Sequence, residues 1–106
     1  MRILPDESRP RRLRDLFRGH EVATVVEAGW SGRRNGELLQ LAAGRFDLFV
    51  TTDQNLQFQQ NVSALPIAIA ILVARDNRFS TLQPAASELF SRLTSHAPRT
   101  LQRYGG

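Results

Sequence analysis

The stretch FDLFVTTDQNLQFQQN, residues 46–61, joins an apolar run to an acid and a series of amides. Residues 46–52 are nearly all apolar, which is typical of a parallel strand covered on both faces. Asp53 ends the run, and Gln54 and Asn55 begin the amides. Two interpretations follow from this pattern. Either Asp53 caps the turn after an ordinary strand, or the strand delivers a carboxylate to a functional site.

Similar apolar runs and turn residues predict the other elements of the chain. Strands are expected at 2–5, 20–29, 65–74 and 99–104, the last at a sheet edge, and helices at 10–18, 35–45 and 80–94. Pro5 should end the first strand because it has no N–H for the ladder. Asn35 and Gly44 should cap the middle helix, and STLQ, residues 80–83, has capping-box form. The alternation of strands and helices predicts a single α/β domain over residues 1–106, with a parallel sheet covered on both sides.

The composition excludes several classes of function. The chain has no cysteine, so it has no disulfide or thiolate site, and no apolar run approaches the roughly 20 residues of a membrane span. The N-terminus lacks the apolar core of a signal peptide, so a cytoplasmic protein is expected. All 14 basic residues are arginine, which excludes lysine Schiff bases and the P-loop lysine. The net charge of +4 is compatible with an anionic partner, although GC-rich codon usage would also favour arginine.

Four acids are expected near one edge of the sheet. Asp6 and Glu7 follow the first strand, Asp53 follows the third, and Glu37 lies in the first turn of the middle helix. The carboxyl ends of parallel strands meet at one edge, and converging carboxylates suit Mg²⁺ or Mn²⁺. Each acid also has a structural explanation, such as the helix dipole for Glu37 or arginine pairing for Asp6 and Glu7. Spacing alone does not choose between these interpretations.

At this point the motifs themselves resemble a known family. RILPDESRPRRLRDLF, HEVATVVEAGWSGRRNGELLQLA, FDLFVTTDQNLQFQQN and LPIAIAILVARDNRF follow one another over about residues 1–104. In this order they resemble small bacterial PIN-like domains, a family of unknown function often encoded in toxin–antitoxin-like pairs. The resemblance implies a three-layer α/β/α sandwich with a central, mainly parallel sheet. It also implies a Mg²⁺- or Mn²⁺-dependent ribonuclease that is the toxin of such a pair.

The resemblance assigns roles residue by residue. Asp6, Glu37 and Asp53 match the acids that hold the metal and carry catalysis, with Glu7 and Asn55 in support. Many relatives have an aspartate at the position of Asn55, so this site has one negative charge fewer. In the first motif Pro5, Ser8 and Arg9 depart from the usual pattern. The residues expected to contact the RNA backbone are Arg11, Arg14, Arg33 and Arg34.

Two functions follow as expectations. The first is a metal-dependent endoribonuclease whose partners are RNA, an antitoxin protein and a second copy of the chain. The second is a non-catalytic PIN-like module that binds protein or nucleic acid. The missing fourth acid and the altered first motif favour the module, and the resemblance to PIN-like domains favours the enzyme.

Overall fold

The core of the fold is a five-stranded parallel sheet. The computed structural model describes residues 1–6, 15, 17–61, 63–76 and 78–105. The strands are β1 (Arg2–Pro5), β2 (Glu21–Val22), β3 (Leu48–Thr51), β4 (Ala68–Val73) and β5 (Leu101–Gly105). Their order across the sheet is β2-β1-β3-β4-β5, and each neighbouring pair runs parallel. The predicted parallel α/β architecture is therefore confirmed.

Helices cover both faces of the sheet. They are α1 (Asn35–Ala43), α2 (Leu56–Gln59) and α3 (Phe79–Ser91), which is followed by a 3-10 turn at Leu93–Ser95. Leu39 of α1 and Leu56 of α2 pack with one face, whereas Leu82 and Leu89 of α3 pack with the other. Burial from both sides explains why β3 is apolar at every position before its last residue, Thr51, rather than alternating. None of the described helices is long and apolar enough to cross a membrane.

Several predicted boundaries agree with the structure. The first strand ends at Pro5, whose Cα lies opposite that of Val50 in β3. The last strand, β5, lies at the sheet edge beside β4. Gly44 is the C-terminal cap residue of α1. The predicted helix at 10–18 falls mostly outside the described residues.

The predicted strand at 20–29 is wrong beyond its first part. The ladder ends at Val22, and residues 24–27 form a reciprocal cap instead. The Thr24 N–H donates to Glu27 Oε1 at 2.9 Å, and the Glu27 N–H donates to Thr24 Oγ1 at 3.1 Å. This is capping-box geometry, and it begins a helical turn in which the Ala28 N–H donates to the Thr24 carbonyl. The β-branched residues suggested a strand, but the T-x-x-E spacing within them decides the local structure.

The predicted caps of the other helices also differ. Helix α1 begins at Asn35 itself, and its N-cap is Arg34, which makes no side-chain cap hydrogen bond. Helix α3 begins one residue before STLQ, with Arg78 as N-cap. The turn into α3 is organised by Asp76, whose Oδ1 accepts the Arg78 N–H at 3.0 Å. A side chain outside the predicted box therefore organises this helix start.

The sheet order creates a switch point between β1 and β3. From β1 the chain adds β2 on one side, whereas β3, β4 and β5 extend the sheet on the other. In open parallel sheets with this order, the crevice at the carboxyl ends of these two strands is where ligands bind. The residues that leave β1 and β3 at this edge are Asp6 and the segment that contains Asp53.

Candidate functional site

Asp6 and Asp53 are joined through the hydroxyl group of Thr51. Thr51 Oγ1 donates to Asp6 Oδ2 at 2.8 Å and accepts the Asp53 backbone N–H at 3.0 Å. Thr51 is the last residue of β3 and is 1% exposed, whereas both aspartates are half-buried. The Asp6 N–H donates to the Val50 carbonyl at 2.8 Å, which extends the β1–β3 ladder beyond Pro5. The two predicted acids therefore meet at the switch point.

Asp53 also organises the turn that follows its strand. Its Oδ1 accepts the Asn55 N–H at 3.0 Å, and its carbonyl accepts the Leu56 N–H at 3.2 Å. These bonds give the capped turn that the sequence offered as one interpretation. The turn uses one carboxylate oxygen of Asp53, so capping does not occupy the whole carboxylate. The side chain of Asn55, predicted to support the site, is exposed and makes no cap hydrogen bond with α2.

Glu37 lies at the same edge but has a different partner. Its Oε1 is 3.2 Å from Arg33 Nη1, and both side chains are about half exposed. Neighbouring Gly36 lies close to the Gln60 side chain, since a Cβ built on Gly36 would be 3.7 Å from Gln60 Nε2. The start of α1 is therefore packed beside the segment that follows Asp53. An exposed ion pair of this kind is weak, so it holds Glu37 only loosely.

The predicted RNA-contacting arginines divide into two groups. Arg33 and Arg34 line an open cavity of about 630 Å³ with Gly29, Gly32 and Glu37 at the start of α1. Arg11 and Arg14 lie outside the described residues, as does Glu7, the predicted supporting acid. Trp30, beside Gly29 of this cavity, packs edge-on against Phe46 at 5.9 Å between ring centroids.

The described residues supply two carboxylates rather than a cluster of three. Among them, no three aspartate, glutamate or histidine side chains gather as one metal-binding group. Mg²⁺ needs fewer protein ligands than this, since it is commonly held by one or two carboxylates and keeps several waters for a substrate phosphate. Asp6 and Asp53 offer carboxylate oxygens, the ligand type that such an ion takes, and Thr51 links the Asp6 carboxylate to the backbone of Asp53.

Thr51 is the residue that sequence reasoning missed. It stands in the TTD of the opening stretch, two positions before Asp53, and reads as an ordinary β-branched strand residue. Its contact with Asp6 spans 45 residues of sequence. The available signal was a hydroxyl at the carboxyl end of an otherwise apolar buried strand, where a buried polar group needs partners.

Comparisons with known proteins give no relative for this chain: no protein-family model matches it, and no curated protein or solved structure does either.

Proposed function

We propose that this chain is a metal-dependent ribonuclease of the PIN-like type, acting as the toxin of a toxin–antitoxin pair. The observation that carries the proposal is the Asp6–Thr51–Asp53 arrangement at the switch point of a parallel sheet. The resemblance of the sequence to PIN-like domains supplies the substrate, RNA, and the biological setting. The arginine-rich composition supports an anionic substrate.

In this proposal the chain's own residues divide the work. Asp6 and Asp53 hold Mg²⁺ or Mn²⁺, and Thr51 fixes the direction of the Asp6 carboxylate. Such an ion supplies activation of water and stabilisation of charge on the reacting phosphate when it is bound. Glu37 leaves its weak ion pair with Arg33 and becomes the third acid that holds the ion. Arg33 is then available to an RNA phosphate, for which its planar guanidinium is suited.

The proposal predicts that Asp53→Asn abolishes RNA cleavage in Mn²⁺. The variant keeps an oxygen for the turn but removes a negative charge, so the fold is retained while the ion is lost. We expect cleavage of a single-stranded RNA to fall by more than about 100-fold, beyond the cost of losing a residue that merely orients a ligand. Initial rates on a labelled RNA, with and without a chelator, measure the effect.

Asp47→Asn is the matched control. Asp47 precedes β3 at the opposite edge of the sheet, where its Oδ2 accepts the Arg2 N–H at 2.8 Å. That hydrogen bond holds the pKa of Asp47 below its usual value, so Asp47 has a structural role of its own. The Asp47→Asn variant should cleave RNA at the wild-type rate. Cleavage that survives both Asp53→Asn and chelation contradicts the proposal.

The non-catalytic module is the second candidate, and two observations favour it. Glu37 forms an ion pair with Arg33 rather than lying beside the two aspartates. Asn55 stands where many PIN-like domains have a fourth acid. A thermal-shift titration of the wild-type protein separates the candidates, because an ion that binds the native state must stabilise it. A melting temperature unchanged by millimolar Mn²⁺, together with no cleavage, would select the module.

A further inference from the structure

A groove runs between α2 and the edge strand β5. At one end, Arg103 Nη2 donates to Gln54 Oε1 at 3.1 Å, next to Asp53. At the other end, Gln57 and Phe58 line a cavity of about 500 Å³ with Thr100 and Leu101. The cavity thus lies between α2 and the start of β5, and the contact of Arg103 with Gln54 lies further along the same two segments.

Phe58 is the most exposed large apolar side chain among the described residues. It is 80% exposed and belongs to the short helix α2. Leu56, two positions earlier, is fully buried, and residues two apart point to nearly opposite sides of a helix. The burial of Leu56 thus forces Phe58 outward over the groove. An aromatic face presented to solvent in this way is available to a ligand.

The β5 side of the groove carries Leu101 and, further along the strand, an arginine. Leu101 packs partly against the same apolar cluster as Leu56, and Arg103, two residues on, lies on the same face of β5. Arg103 is exposed, and its contact with Gln54 uses one of several N–H donors of the guanidinium. Gln54 is neutral, so the positive charge of Arg103 is not cancelled by this partner. The groove thus combines an aromatic face with an arginine.

We propose that the groove between α2 and β5 binds single-stranded RNA, with a base stacked on Phe58 and a backbone phosphate at Arg103. Exposed aromatic rings beside cationic groups are the usual elements of single-strand binding, since stacking requires a base that is not paired. The charge of the chain, +4, is of the sign that RNA requires.

The position of the groove connects it to the aspartate pair. The Leu56 N–H donates to the Asp53 carbonyl and the Phe58 N–H to the Asn55 carbonyl, so residues 53–58 form continuous turns. With the rise per residue of an α- or 3-10 helix, Asp53 and Phe58 are roughly 8–10 Å apart along this segment. A strand that leaves Asp53 reaches Phe58 within a short distance. The path to the aspartates rests on the proposed ribonuclease function, whereas RNA binding in the groove does not.

The test is binding of a fluorescent single-stranded oligouridylate, measured by anisotropy in chelator so that no cleavage occurs. Phe58→Leu keeps an apolar side chain but removes the ring, and we expect binding to weaken about 5- to 150-fold. Phe58→Trp keeps an aromatic ring, so it should bind about as tightly as the wild type. Arg103→Gln should weaken binding and lower the slope of log K against log salt by about 0.7, while Arg103→Lys keeps the slope.

Phe90→Leu is the matched control, because Phe90 is a second exposed phenylalanine, 40% exposed, on α3. It should bind the oligonucleotide as the wild type does. Equal affinity of the wild type and Phe58→Leu overturns the inference, as does preference for duplex RNA. Binding of a short acidic peptide at Phe58 without RNA binding also overturns it. If Phe58 governs binding but Asp53→Asn does not change cleavage, the groove stands and the ribonuclease proposal fails.

Discussion

Thr51 is the residue on which the candidate site depends most. Its hydroxyl is buried and has two partners, one on each aspartate. Because it accepts from the Asp53 N–H, its own hydrogen is directed at Asp6. Thr51 thereby fixes Asp6 relative to the backbone of Asp53. It acts as a positioning residue for the proposed ion.

Thr51→Val tests this role. Valine keeps the shape but removes the hydroxyl, so Asp6 loses a donor and the Asp53 N–H loses an acceptor. We expect Mn²⁺ affinity to fall about 10- to 100-fold, as when an orienting partner of a metal ligand is lost. We also expect the unfolding free energy to fall by about 1–3 kcal/mol. Calorimetric titration and urea denaturation measure the two effects.

Thr51→Ser separates positioning from packing. Serine keeps the hydroxyl and removes a buried methyl group, so it should lose some stability while Mn²⁺ affinity stays near that of the wild type. If affinity instead follows stability across both variants, Thr51 is a packing residue and does not position Asp6.

At the scale of elements, two of the capping-box patterns in the sequence, Thr24–Glu27 and STLQ at residues 80–83, have different outcomes in the fold. Thr24 and Glu27 form reciprocal hydrogen bonds, whereas Ser80 lies inside α3 and is exposed. The two patterns are equivalent as sequence. They differ because the second pattern lies within α3, which begins at Phe79 after a turn organised by Asp76, so Ser80 is not at the N-cap. The position of a pattern relative to the helix start therefore decides whether it forms a cap.

Thr24→Ala and Ser80→Ala measure that difference. Loss of the Thr24 cap should lower the unfolding free energy by about 0.5–2 kcal/mol. Ser80→Ala should change it by less than about 0.5 kcal/mol, because an exposed serine within a helix is replaced by a better helix former. Urea denaturation of both variants gives the comparison. A larger effect of Ser80 than of Thr24 would contradict the role of the box.

At the scale of the whole molecule, the parallel α/β architecture was predictable, whereas helix α2 and the contacts between elements were not. The apolar runs at residues 46–52 and 65–74 predict buried parallel strands, and the structure has β3 and β4 there. The strand order, however, depends on pairing between distant segments, and the switch point follows from that order. The bond between Thr51 and Asp6 and the exposure of Phe58 have the same non-local origin. The spacing of apolar residues in the sequence indicates which residues are buried, but it does not indicate which distant residues they contact.

A contact between His96 and Tyr104, which are separated by eight positions in the sequence, gives the molecule a specific pH response. His96 Nε2 lies 2.9 Å from the Thr100 carbonyl, which can only accept, so the neutral imidazole carries its hydrogen there. The Tyr104 hydroxyl then donates to His96 Nδ1 at 2.7 Å. Burial raises the pKa of the Tyr104 hydroxyl above its usual value. Ionising Tyr104 removes this donor and places a charge in the core.

The unfolding free energy should therefore fall as pH rises above about 10. As pH rises, the tyrosine of the unfolded chain loses its proton at a lower pH than Tyr104 of the folded chain. The folded state therefore binds more protons in this range, and rising pH lowers its stability. The sequence has one tyrosine and neither lysine nor cysteine, so no other side chain titrates between about pH 9 and 12. Tyrosinate absorbance and urea denaturation over this range measure the effect.

Tyr104→Phe should be less stable near neutral pH, because His96 loses its partner, but its stability should no longer depend on alkaline pH. A wild-type protein whose stability is flat to pH 12 while tyrosinate forms would show that Tyr104 ionises without cost, contrary to the buried hydrogen bond.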